Sequence, residues 1–123
     1  MEKGLKLEEL KVYQVAVEIG ELVWNIVTSW DAFAKYTLGK QFVESADSIA
    51  FNIAEGYGRY FYKENKNFCY YSRGSAKETG SAVEKAKARS LISLKEHEQL
   101  KEKLDLYFRL MFGYINSIGS SKE

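Results

Sequence analysis

Asn52-Ile53-Ala54-Glu55-Gly56-Tyr57-Gly58-Arg59 marks a break between two long amphipathic patterns. Upstream, Leu38, Phe42, Ser45, Ala46, Ile49, Ile53 and Gly56 fall on one face at about 100° per residue, the period of an α-helix. Gln41, Ser48, Asn52 and Glu55 form a polar stripe beside that face. Val43, Ala50, Ala54 and Tyr57 form a second, smaller apolar stripe, which a monomer does not need and which points to a partner surface. The pattern stops at Gly56 and Gly58. Glycine after a periodic segment supplies the left-handed residue of a C-cap, and Arg59 suits the negative end of the helix dipole. Asn52, Glu55, Gly56 and Gly58 are therefore expected to form a structural corner.

Working outward from this corner, four helices are predicted, over about 7–30, 38–57, 62–90 and 94–118. In the first, Leu10, Tyr13, Val17, Gly20, Trp24 and Val27 form one seam. Val12, Ala16, Ile19, Val23, Ile26 and Trp30 form another, so the apolar face is broad. Ser29 to Tyr36 is expected to be a connection, with Thr37 capping the second helix. The third carries an aromatic-then-small face: Phe61, Phe68, Tyr71, Ser72, Ser75, Thr79, Ala82 and Ala86. Gly74 and Gly80 inside it each cost about 1 kcal/mol against alanine, which close helix packing would explain. Ser93 with Glu96 is a capping box opening the fourth helix. Its core stripe is Leu100, Leu104, Tyr107, Met111, Tyr114 and Ile118, and Gly119 ends it. Residues 1–7 and Ser120 to Glu123 are expected to be loose ends. Four helices with short connections predict an all-α, antiparallel up-down-up-down four-helix bundle in a single domain, 1–123.

Composition agrees. The chain has 123 residues, enough for one core, and 0 prolines, which favours long helices. Lys and Arg number 18 against 17 Asp and Glu, so any nucleic-acid contact must come from a local patch rather than from net charge. Cys69 stands alone, which rules out an intrachain disulfide and fits a buried thiol. No secretory leader follows Met1, and charges interrupt every apolar run, so no membrane contact and a cytoplasmic location are expected.

Catalytic and metal chemistry find little support. A di-iron bundle needs Glu-x-x-His pairs, yet the sole histidine, His97, has Leu94 three residues before it. His97 sits among Lys95, Glu96 and Glu98 and reads as a solvated residue. Gly56-x-Gly58 lacks a third glycine and follows a helix, unlike a phosphate loop. No cofactor and no enzymatic activity are expected. Asn52, Glu55, Arg59 and Arg73 suggest a structural network in which Arg73 reaches Glu55 across the corner.

One face of the third helix does suggest binding chemistry. Lys63, Lys66, Tyr70, Arg73 and Lys77 are spaced 3, 4, 3 and 4 residues apart, with Arg59 and Tyr60 at their N-terminal end. Cations so placed can meet successive phosphates, and the interleaved tyrosine can stack on a base. Glu64, Glu78 and Glu84 dilute this potential.

Ser48-Ile49-Ala50-Phe51-Asn52-Ile53-Ala54-Glu55-Gly56-Tyr57-Gly58-Arg59, followed by Lys63-Glu64, Phe68, Ser72-Arg73-Gly74-Ser75 and Glu78, resembles the four-helix bundle proteins also called 23S rRNA-intervening sequence proteins. The opening Leu10-Lys11-Val12-Tyr13-Gln14-Val15-Ala16 is similar too. Two departures stand out: Ser29-Trp30-Asp31-Ala32-Phe33 replaces a connection that often holds proline, and Ala76 follows the Arg-Gly-Ser element where leucine is common. The resemblance implies a bacterial cytoplasmic bundle assembling into a homopentameric ring. Some relatives are encoded within rRNA intervening sequences, and others look like accessory proteins that bind nucleic acid and a reverse transcriptase. The expected function is a non-enzymatic homo-oligomer that binds RNA or a nucleic-acid-handling partner. The alternative is a protein-interaction scaffold without nucleic-acid contact.

Overall fold

The computed structural model describes residues 5–119. The loose ends expected at residues 1–4 and 120–123 lie outside the described residues. Four long helices make up the bundle: α1 (Lys11–Val27), α2 (Lys40–Tyr57), α3 (Tyr62–Ala88) and α4 (Leu94–Ser117). No strand occurs among the described residues.

The start differs from the sequence expectation. Leu7–Glu9 is a separate 3-10 turn, and Leu10 is extended before α1 begins. The backbone carbonyl of Leu5 accepts a hydrogen bond from the Tyr57 hydroxyl, so the lead-in is tied to the end of α2. The same contact covers part of the Val43, Ala50, Ala54 and Tyr57 stripe. Ala50 is buried, and Val43 and Tyr57 pack on the core, so that stripe is used largely within the chain. In α1, Val12, Ala16, Ile19, Val23 and Ile26 are buried, followed by Trp30 beyond its end. Val17 and Trp24 of the other seam face out.

The α1–α2 connection is shorter than predicted. Asp31 Oδ1 accepts from the Ala34 amide at 3.0 Å, which starts a helical turn at Ala32–Ala34. A π-helical turn, Lys35–Gly39, carries this directly into α2. Thr37 is therefore not a cap. It lies inside the π turn and donates to the Phe33 carbonyl at 2.7 Å. An aspartate three residues before a free amide satisfies a donor that Thr37, already inside the helix, cannot reach. Gly39 permits the close approach here: a Cβ on it would lie 2.8 Å from Val27 Cγ1.

Successive helices pack in opposite directions. Gly20 meets Asp47 and Val27 meets Gly39 between α1 and α2. Ser45 meets Thr79 and Ile49 meets Ser72 between α2 and α3. Ser72 meets Tyr107 and Glu84 meets His97 between α3 and α4. Helix α4 closes the bundle against α1, where Lys103 bonds Glu18.

The core holds a satisfied polar thread. Ser72 Oγ donates to the Ile49 carbonyl at 2.8 Å and lies 2.5 Å from the hydroxyl of Tyr107, which is fully buried. Thr79 Oγ1 bonds Ser45 Oγ at 3.1 Å, and Asn65 bonds Tyr114. Pairing of this kind offsets the cost of burying hydroxyls and amides. Burial pushes the Cys69 thiol up to about 12, with Lys66 pulling weakly the other way, so the thiolate is disfavoured.

Candidate nucleic-acid interface

The α2–α3 corner is built differently from the expected C-cap. Gly56 lies inside α2 and is buried, and Gly58 has φ −82°, a right-handed conformation. A Cβ on Gly56 would lie 2.8 Å from both Asn65 Oδ1 and Phe68 Cβ. Gly56 thus lets α3 press against the last turn of α2, and left-handed geometry is not the reason for it. Glu55 and Arg59 form an i,i+4 ion pair at 2.7 Å. The Arg59 guanidinium also sits 4.8 Å above the centre of the Phe68 ring. Asn52 turns back to the Ser48 carbonyl at 2.9 Å.

Arg73 does not join this corner. It lies 5.0 Å above the ring of Tyr70, on its own helix, while Phe68 is the α3 residue beneath Arg59, the partner of Glu55. Phe68 packs toward Gly56, whereas Lys77 lies 4.6 Å over the ring of Phe108 on α4. Arg59 is therefore on the α2 flank of α3, and Arg73 and Lys77 are toward α4.

Lys63, Tyr70, Arg73 and Lys77 are exposed and Lys66 is half-buried, along about 20 Å of α3 at ~1.5 Å per residue. The core side of α3 runs through Asn65, Cys69, Ser72, Ala76, Thr79 and Val83. Phe61 and Tyr71, expected on that side, are 61% and 57% exposed. Small residues facing α2 and α4 fill the narrow space, and large rings are turned out of it.

Of the three acids expected to dilute the basic stripe, Glu64 is exposed beside Lys63, and the other two have partners on neighbouring helices. Glu78 accepts from Gln41 on α2 at 3.3 Å. Glu84 pairs with His97 on α4 at 2.9 Å, and this contact holds the Glu84 carboxyl below its usual range. His97 is consequently not a freely solvated residue; its side chain is only 13% exposed. Gly74 and Gly80 do not mediate close packing: a Cβ on Gly74 meets nothing within 4 Å, and one on Gly80 meets only Leu104 at 3.9 Å.

The sequence places Phe61 on the inner face of α3 and Tyr60 at the N-terminal end of the basic face. They project from the corner, 87% and 61% exposed, and contact each other edge to face at 4.9 Å. The signal was present in the sequence: a run of three rings directly after a helix break cannot all turn inward. The α1–α4 groove carries Glu18, Glu21 and Glu102, with Lys103 bonded to Glu18, beside Val17, Leu22 and Leu106. Among the described residues, no group of three His, Cys, Asp or Glu side chains is placed to hold a metal ion, and no helix is long and apolar enough to cross a membrane.

No curated protein matches the chain. A solved structure that does match is a protein with unknown function from the S23 ribosomal protein family of Bacteroides thetaiotaomicron. It shares 19% identity at a TM-score of 0.77, covering 86% of this chain and 99% of that one, a likeness of fold. The family model of the 23S rRNA-intervening sequence protein matches residues 8–113, spanning all of α1 to α3 and most of α4, and the chain belongs to that family.

Proposed function

We propose that the protein is a non-enzymatic, homo-oligomeric bundle that binds nucleic acid through the outer face of α3. The observation that carries this reading is the row Lys63, Lys66, Arg73 and Lys77 with Tyr70 between; of its neighbouring acids, Glu78 and Glu84 are engaged by α2 and α4, and Glu64 is exposed. The rings beneath Arg73 and Lys77 hold those cations in place, which lowers the entropy lost when a phosphate is bound. Arg59, tied to Glu55, is a secondary contact on the other flank. Family membership, with its link to rRNA intervening sequences, supports the same reading. A pentameric ring is the assembly implied by the resemblance.

Fluorescence anisotropy with a structured RNA at low salt tests the proposal. Binding is expected to weaken steeply with salt, each phosphate contact adding about 0.7–0.9 to the slope of log affinity against log salt. Lys63→Glu with Lys66→Glu is expected to reduce affinity at least tenfold. Undetectable binding, or binding indifferent to that double substitution, would reject the α3 interface. A second reading, a scaffold that binds only protein, is favoured by the exposure of Phe33, Phe51, Leu94 and Phe112. Sedimentation at micromolar concentration tests the shared element of both readings, and a monomer contradicts it.

A further inference from the structure

We infer that the nucleic acid taken by this surface is single-stranded, with unpaired bases stacking on the aromatic tip at the α2–α3 corner. The inference rests on the proposed α3 interface and names its substrate class. Tyr60 and Phe61 stand immediately before the first residue of α3, 87% and 61% exposed, in edge-to-face contact with each other. The cations begin immediately beside them, at Lys63 and Lys66, and continue to Arg73. Tyr70 adds a further ring, 44% exposed, under the Arg73 guanidinium.

Rings and cations do different work on a polynucleotide. A cationic row alone suits any phosphate backbone, including a duplex. An exposed ring gains its full stacking contact only from a base whose face is free, and in a duplex those faces are covered by neighbouring bases. Tyr70 lies about 12 Å along α3 from the helix start at Tyr62, at ~1.5 Å per residue, and Tyr60 and Phe61 precede that start, so a strand following the cations meets rings at two separated points.

The test compares a 12-nucleotide single-stranded RNA with a blunt duplex of the same sequence, using the full chain, by anisotropy at one low salt concentration. A single-stranded DNA of that sequence separates the two sources of such a strand. Equal binding assigns recognition to bases and phosphates, loss on the DNA assigns it to RNA, and the inference holds in either case if the rings matter. The single strand is expected to bind about tenfold more tightly than the duplex. Tyr60→Ala with Phe61→Ala is expected to abolish that preference, leaving duplex affinity within about twofold. Equal binding of strand and duplex, unchanged by the double substitution, overturns the inference while leaving the α3 interface standing. Absence of binding to either overturns both. If the double substitution alters sedimentation of the free protein and not its RNA affinity, the rings belong to a protein contact and the inference falls.

Discussion

Gly56 and Gly74 show how far one residue type can differ in role within 20 residues. A Cβ on Gly56 would meet Asn65 and Phe68 at 2.8 Å, and the Asn65 carbonyl at 3.0 Å. Gly56→Ala is expected to destabilise by about 1–3 kcal/mol through overpacking. Gly74 meets nothing within 4 Å, and Gly74→Ala is expected to stabilise by about 0.5–1 kcal/mol through helix propensity. Urea denaturation of the two variants measures both, with opposite signs. Asp47 offers a different test. Its carboxyl is raised by burial and by the neighbouring Glu21. Within the window between the ordinary and the folded value, the native state keeps a proton that the unfolded chain has lost. This contribution therefore favours folding at low pH and is lost as pH rises through that window. Asp47→Asn is expected to raise the urea midpoint at pH 7 and to give no such gain below the ordinary carboxylate range. Glu84, lowered by its bond from His97, has the opposite sign, with its contribution lost as pH falls through its folded value.

At the scale of elements, the α1–α2 connection is the instructive case. A cap works from outside the first turn, and Asp31 occupies that position while Thr37 sits in the π turn. Asp31→Ala is expected to cost about 1 kcal/mol and Thr37→Ala less than about 0.5 kcal/mol, measured as urea midpoints at constant slope. Equal costs would restore Thr37 as the helix start. The fourth helix needed no such revision. Ser93 Oγ accepts from the Glu96 amide at 3.0 Å, and Glu96 Oε1 accepts in turn from the Ser93 amide at 2.9 Å. A reciprocal pair three residues apart is a local pattern, so sequence spacing finds it directly.

Across the whole molecule, the outer side of α3 carries the cationic row together with the exposed Glu64, and the α1–α4 groove carries Glu18, Glu21 and Glu102 with Lys103. The four helices and the apolar face of α2 were legible in the sequence because helix periodicity is local: Phe42, Ala46, Ile49 and Ile53 repeat at the spacing that buries them. The basic row was legible for the same reason, since 3 and 4 residue steps on one helix always share a side. What tertiary structure decided was everything that depends on a second helix. Packing against Asn65 and Phe68 made Gly56 a contact point. Bonds from Gln41 and His97 gave Glu78 and Glu84 partners on neighbouring helices. The width left between α2 and α4 determined which rings of α3 turned outward. Periodicity states which residues share a face; only the neighbouring helix determines what that face meets.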